Sequence, residues 1–179
     1  VARLQSDVVF APATMIVATS ATLNFNGFAF TFTGANFTNN GTVSVGASTF
    51  SFNGTDNFTH SVGTFTGNGS LIFAPADGTA NILSDAAIGP SIQIASGTLS
   101  GCFSAAVAGN LTINNGATLQ CDSGTMTLNG NLTVDGTLSR TGPGFGVNIN
   151  FNGATFTNNG SISAGFLIFN NSGGALVQT

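Results

Sequence analysis

The sequence FTGANFTNNGTVSVGASTF at residues 32–50 recurs as FNGATFTNNGSISAGFLIF at residues 151–169, aligned without gaps at an offset of 119 residues. In both copies, Phe, Val, Leu or Ile alternates with Thr, Ser or Asn in short runs, and most runs close with Gly or Asn-Gly. This alternation predicts short β-strands joined by tight turns. Helix is not expected, because Phe, Thr, Asn and Gly are poor helix formers.

Shorter offsets set the size of the repeating unit. Asn36 and Asn57 each begin an Asn-Phe-Thr motif, and Asn110 and Asn131 each begin an Asn-Leu-Thr motif, 21 residues apart in both cases. The offset of 119 residues is then close to six units. We predict one all-β domain over residues 1–179, a β-solenoid of about eight coils of about 20–21 residues with three short strands per coil. A β-sandwich is the alternative, but its strands are not expected to repeat at this period.

Two stretches depart from the regular pattern. Residues 1–24 are mostly apolar, and we expect them to take part in subunit contact. Residues 73–109 contain two prolines, two aspartates and an alanine-rich piece, which predicts an irregular coil or an insertion. In the regular coils, in-register stacking would place Asn36 over Asn57 and Asn110 over Asn131, and stacked asparagines pair amide to amide along the axis.

The two cysteines, Cys102 and Cys121, are 19 residues apart, nearly one unit. We therefore expect them to face each other on adjacent coils and to form a disulfide that joins the irregular part to the regular part. A pair of buried thiols is the alternative.

Charged residues are scarce: the chain has 2 Lys/Arg and 6 Asp/Glu, and a net charge of −4. Such a surface cannot neutralise phosphates or anionic lipids, so we expect no nucleic-acid partner and no membrane insertion. The single histidine, His60, has Asp56 and Ser61 nearby, but no nucleophile-elbow motif accompanies them. No aspartate pair has a basic residue close in sequence. We expect neither enzymatic activity nor a bound metal or cofactor.

Thr-x-Thr pairs were weighed as an ice-binding signal, since β-solenoid ice-binding proteins array such pairs on one flat face. The pairs begin at Thr31, Thr64, Thr125 and Thr155, and their separations do not keep to the repeat. We expect them to fall on different faces, which makes ice binding the least favoured of the binding functions.

Both ends of the chain are apolar and β-prone, and neither carries the Lys or Glu residues that discourage edge pairing. An open solenoid edge can accept the edge of another copy, and repeated addition in one direction gives a filament. Strand exchange by the N-terminal segment is a second route to the same assembly. The candidate subunit-interface residues are Val8, Val9, Phe10, Met15, Ile16, Val17, Phe166, Leu167, Ile168, Phe169, Leu176 and Val177.

The strings NLTINNGATLQ, GTMTLNGNLTVDGTLS and FTNNGTVSVGASTFSFNG resemble coils of repetitive secreted bacterial surface proteins, such as filamentous-haemagglutinin-like adhesins and autotransporter passengers. The resemblance implies an exported, non-enzymatic β-solenoid used in surface structure or adhesion, and it identifies no functional residue. Because the chain begins with Val1 rather than Met, we expect a secreted product whose signal segment has been removed.

We therefore predict a self-assembling structural subunit of an extracellular filament, fibre or sheath, with itself as the partner in a head-to-tail homopolymer. The alternative is a glycan-binding stalk module of an adhesin or a phage fibre, and ice binding is less favoured.

Overall fold

The computed structural model describes residues 1–75, 78–121, 124–140, 148–163, 166–170 and 175–178. In these residues the chain forms 25 strands and no helix, and every pair of neighbouring strands is parallel. Consecutive strands lie on three different sheets in turn, so each strand pairs with the strand one coil away. The predicted β-solenoid with coils of about 21 residues and three strands per coil is confirmed, and the sandwich alternative is excluded.

We call the three faces sheets A, B and C, in the order in which the chain reaches them. Sheet A contains β1 (Ala2–Arg3), β4 (Thr22–Asn24), β7 (Thr42–Gly46), β10 (Thr64–Gly67), β15 (Ala106–Val107), β18 (Thr125–Leu128), β21 (Asn148–Phe151) and β24 (Phe166–Phe169). Sheet B contains β2 (Val8–Phe10), β5 (Phe30–Phe32), β8 (Thr49–Asn53), β11 (Ser70–Ala74), β13 (Ser91–Ile94), β16 (Leu111–Ile113), β19 (Leu132–Val134), β22 (Thr155–Asn158) and β25 (Ala175–Gln178). Sheet C contains β3 (Thr14–Val17), β6 (Asn36–Asn39), β9 (Asn57–His60), β12 (Thr79–Ser84), β14 (Thr98–Ser100), β17 (Thr118–Gln120), β20 (Thr137–Ser139) and β23 (Ser161–Ile162).

The predicted irregular region at residues 73–109 contributes strands to the solenoid. Its strands β12, β13 and β14 pair in register with the coils on either side. The irregular part is on sheet A, where single bridges from Ile88 to Phe65 and Val107 replace a strand. Counting Ile88 as the sheet A position of coil 5, the described strands fill eight coils and two faces of a ninth.

Alternating side chains build the core. In each regular strand, the apolar residues point inward and are buried, while Thr, Ser or Asn point outward, as expected for strands with one buried face. Coils 2 to 4 are filled mostly by phenylalanine rings, for example Phe52 stacked on Phe73 with ring centroids 4.9 Å apart. Later coils are filled mostly by Leu, Ile and Val, as in the inward column of Ile92, Leu111 and Leu132.

The two copies of the long repeat lie on different faces. The copy at residues 32–50 runs from β5 through β6 and β7 into β8, on sheets B, C, A and B. The copy at residues 151–169 runs from β21 through β22 and β23 to β24, on sheets A, B, C and A. The offset of 119 residues therefore corresponds to five and two-thirds coils rather than six. The second copy is displaced by one face relative to the first.

Candidate functional site

The first coil forms an open N-terminal edge. Strands β1, β2 and β3 are the terminal strands of sheets A, B and C, and each pairs with one described strand only. Their outward side chains are apolar and exposed: Val9 is 73% exposed, Ile16 63% and Phe10 42%. Of the other predicted interface residues in this coil, Val8 and Met15 are half-buried and Val17 is buried. The edge therefore combines unpaired strands with an apolar surface.

Backbone hydrogen bonds show which groups face the open side. Val8 N donates to Ala29 O and Thr33 N donates to Phe10 O, both at 3.0 Å, so Val8 and Phe10 turn toward the second coil. In a parallel sheet, alternate residues direct their N–H and C=O groups to opposite sides. The N–H and C=O of Val9 therefore face away from the protein.

The same alternation applies to β3. Ala13 O and Val17 O accept hydrogen bonds from Asn36 N and Asn40 N of the second coil, at 3.0 and 2.8 Å. The backbone groups of Ile16 consequently lie on the open side, as those of Val9 do on β2.

The C-terminal edge is formed by β23, β24 and β25, the last described strands of sheets C, A and B. The predicted interface residues Phe166, Leu167, Ile168 and Phe169 lie on β24, and Leu176 and Val177 lie on β25. Ile168 is 42% exposed, and the other five side chains lie outside what the structure describes. Asn170 N donates to Phe151 O at 2.9 Å, so alternation turns the backbone of Leu167 and Phe169 toward the open side.

This edge has a step. Sheets A and B extend into the ninth coil through β24 and β25, whereas the last described strand of sheet C, β23, belongs to the eighth. Sheet C is therefore one strand shorter than its neighbours at this end.

Asparagine side chains link successive coils on sheet C. Asn57 Nδ2 donates to Asn36 Oδ1 at 2.9 Å, and Asn81 Nδ2 donates to Asn57 Oδ1 at 3.4 Å. Asn110 and Asn131 interact in another way: Asn131 backbone N donates to Asn110 Oδ1 at 2.8 Å. The expected amide-to-amide pairing is therefore wrong for Asn110 and Asn131, because they precede their strands and face a backbone donor.

A further asparagine ladder was missed by the sequence analysis. Asn152 Nδ2 donates to Asn129 Oδ1 at 2.8 Å, and Asn170 Nδ2 donates to Asn152 Oδ1 at 3.0 Å. The spacings of 23 and 18 residues depart from the 21-residue period, so a search at constant period does not find it.

The predicted disulfide is absent. Cys102 and Cys121 are both buried as thiols. Ser100 is the register partner of Gln120, which places Cys121 beside Gly101 rather than beside Cys102. Cys121 Sγ accordingly donates to Gly101 O at 3.6 Å. The spacing of 19 residues is therefore one short of the local coil length.

His60 is part of the core. Asn39 Nδ2 lies 3.4 Å from His60 Nδ1, and His60 Nε2 lies 3.3 Å from Ala87 O, which fits a neutral ring protonated at Nε2. The ring also packs edge-on against Phe65 with centroids 4.7 Å apart. Burial lowers the pKa of His60, and its backbone hydrogen bonds offset this only in part. A neutral, enclosed imidazole is suited to packing.

No group of three or more His, Cys, Asp or Glu residues gathers in the part of the chain that the structure describes. Asp77 and Asp122, which the sequence analysis considered as partners of Asp85 and Asp135, lie outside the described residues.

Threonines form a column on sheet C that the search for Thr-x-Thr pairs did not reveal. Thr79, Thr98, Thr118 and Thr137 are register partners in four successive coils. The neighbouring outward column has Asn81, Ser100, Gln120 and Ser139 instead of a second threonine. The Thr-x-Thr pairs themselves are divided between sheets A and B.

Comparison of the chain with protein-family models, with curated proteins and with solved structures gave no match. Among the described residues, no helix is long and apolar enough to cross a membrane. The class that the structure defines is a repeat protein with a β-solenoid fold and open edges at both ends of the described coils.

Proposed function

We propose that this protein is a self-assembling structural subunit of an extracellular filament, fibre or sheath, and that it polymerises head to tail through its solenoid edges. The single observation that carries the proposal is the N-terminal edge, where exposed Val9 and Ile16 flank backbone groups with no partner in the described chain. Such an edge is a template for pairing with another strand.

Comparison of columns supports this proposal. Val9 heads an outward column of sheet B that continues with Thr31 and Ser51, and Ile16 heads one of sheet C that continues with Thr38 and Thr59. The first coil thus carries aliphatic side chains where the next two coils carry hydroxyls. Apolar residues at an edge gain from contact with another subunit, because contact removes them from water.

Location outside the cell is part of the proposal. It is supported by the resemblance to filamentous-haemagglutinin-like and autotransporter-passenger repeats and by the low content of charged residues, 4% of the chain. A dense parallel β-structure with asparagine ladders suits a passive, durable role.

The test compares assembly of the wild-type chain with that of two double variants. Val9→Pro/Ile16→Pro removes the N–H groups that face the open side and that have no partner in the described chain. Val9→Thr/Ile16→Thr keeps those N–H groups and installs the side chain found at Thr31 and Thr38. Assembly is followed by sedimentation and negative-stain electron microscopy, and folding by circular dichroism.

We expect filaments from the wild-type chain and from the threonine variant, and folded monomers from the proline variant. Filaments from the proline variant at wild-type concentrations would refute pairing through these edges. A wild-type chain that stays monomeric would refute self-assembly itself.

The second candidate function, a glycan-binding stalk module, is favoured by the threonine column of sheet C. Saturable binding of a soluble oligosaccharide to a monomer, lost in Thr98→Val/Thr118→Val, would support it. No binding across a glycan array would exclude it as the main role.

A further inference from the structure

We propose that a second copy of this chain joins the C-terminal edge with a rotation of one face, so that its β1, β2 and β3 pair with β23, β24 and β25. Each first-coil strand then extends the sheet preceding its own: the incoming sheet A strand extends sheet C, the sheet B strand extends sheet A, and the sheet C strand extends sheet B. This inference rests on the proposed self-assembly and specifies the joint.

The first reason is the step at the C-terminal edge. The first open position along the coil is on sheet C, above β23, because β24 and β25 already fill sheets A and B of the ninth coil. A copy stacked without rotation would place its β1 on β24 and leave that position on sheet C empty. The rotated copy fills it with β1, and its next two strands meet β24 and β25 without a gap.

The second reason is the internal repeat. Matching sequence occupies sheet B at Phe32 and sheet A at Phe151, sheet C at Phe37 and sheet B at Phe156, and sheet A at Val43 and sheet C at Ile162. The chain therefore already places one sequence on faces that differ by the rotation proposed for the joint, and in the same direction. No new type of packing is needed.

The repeat also sets the register of the joint. Val9 shares a column with Thr31, whose repeat equivalent is Asn150, and Asn150 pairs with Ile168. Val9 of the incoming copy is therefore the partner of Ile168.

Hydrogen-bond directions agree with this register. The open-side N–H of Val9 would donate to Leu167 O, and Val9 O would accept from Phe169 N, which are the open-side groups of β24. Both strands are parallel in this arrangement, as all described neighbours are.

The same correspondence positions the other two strands. Val43 pairs with Leu23, and Leu23 pairs with Ala2, so Ala2 of the incoming copy lies over Ile162. Phe37 pairs with Met15, and its equivalent Phe156 pairs with Leu176, so Met15 lies over Leu176. All three strands thus reach their partners in one rigid placement, which advances by about 42 Å at a strand spacing of about 4.8 Å.

Cysteine cross-linking tests the rotation. The variant Val9→Cys/Ile168→Cys reports the rotated joint, and Val9→Cys/Val177→Cys reports stacking without rotation, in which β2 would meet β25. Adjacent strands hold their Cα atoms within the range that a disulfide spans. Each variant is assembled under reducing conditions, oxidised with copper phenanthroline and separated by non-reducing electrophoresis.

We expect covalent ladders of many subunits from the Ile168 pair, at least tenfold more abundant than from the Val177 pair. Filaments that cross-link only through the Val177 pair, or through neither pair, would overturn the rotated joint and leave the proposed self-assembly intact. Failure of the parent chain to form filaments would instead overturn the proposed function. Helical reconstruction of the wild-type filament gives an independent check: the expected rotation per subunit is about one third of a turn, apart from the twist of the coils.

Discussion

The two copies of the long repeat have nearly the same sequence but different surroundings. The copy at residues 32–50 lies in the interior of the rod, and its strand β7 pairs with β4 on one side and β10 on the other. In the copy at residues 151–169, the equivalent strand β23 pairs with β20 and is the last described strand of sheet C. A strand sequence that has partners on both sides in one place thus forms an open edge in the other.

This difference teaches that the strand sequences are not specific for a face. The inward positions ask only for apolar side chains, and the outward positions only for small polar ones, on all three sheets. The edge strand β23 therefore needs no special feature to accept a partner, and the predictions below compare equivalent residues of the two copies.

The largest expected effect is at the equivalent pair Phe37 and Phe156. Phe37 is fully buried, with ring centroids 5.1 Å from Phe52 and 5.2 Å from Phe50, whereas Phe156 lies in a mainly aliphatic region. We expect Phe37→Ala to lower the free energy of unfolding by about 5 kcal/mol and Phe156→Ala by about 3 kcal/mol. Denaturant unfolding of the monomeric proline variant background measures both. Equal costs would contradict the distinction between the two copies.

The next effect is expected to be equal in the two copies. A Cβ at Gly34 would collide with the carbonyl oxygen of Pro12, and one at Gly153 with that of Gly130, in the preceding coil. We expect Gly34→Ala and Gly153→Ala each to cost about 3 kcal/mol of unfolding free energy. The control is Gly116→Ala, where φ is +78° and nothing lies within 4 Å, and we expect about 1 kcal/mol. A cost at Gly34 or Gly153 no larger than the control would contradict the close approach of coils.

A smaller difference is expected at the pair Asn39 and Asn158. Asn39 is buried, its Oδ1 accepts from Gly41 N at 3.1 Å, and its Nδ2 donates to Thr64 O at 3.2 Å. Among the described residues, Asn158 Oδ1 is buried without a hydrogen-bond partner. We expect Asn39→Ala to cost about 2 kcal/mol and Asn158→Ala less than about 0.5 kcal/mol. Thermal unfolding of the two variants would disprove this if Asn158→Ala were the more damaging.

The smallest expected effect is a pH dependence that belongs to the first copy, where His60 contacts Asn39. Because burial lowers the pKa of His60 below 6.5 in the folded state, the unfolded chain takes up the proton first. Stability should be complete above pH 6.5 and fall as the pH is lowered below it. Unfolding midpoints between about pH 7.5 and 5.5 measure this. His60→Gln should remove the dependence in that range, and an unchanged slope in the variant would assign it to other groups.

The fold could be predicted because its rules are local. Alternation along each strand and glycine or asparagine at the corners specify short strands and turns, and the 21-residue offsets of Asn36–Asn57 and Asn110–Asn131 specify the coil. The open N-terminal edge could also be predicted, since apolar residues on β2 and β3 occupy positions that hydroxyls occupy in the next coils.

The phase of each strand around the axis could not be predicted, because the coil length varies. Register-matched asparagines are 24 residues apart at Asn57–Asn81 and 18 apart at Asn152–Asn170. Such differences accumulate to one third of a coil over 119 residues, which moves the second copy to another face. The same variation shifts Cys121 by one residue relative to Cys102 and removes the expected disulfide.

Electron microscopy of the purified wild-type chain, over a range of concentrations, tests the central claim most directly. Head-to-tail stacking predicts filaments of uniform width with an axial subunit repeat of about 42 Å. A chain that remains a folded monomer at every concentration, with no filament in the micrographs, would contradict it.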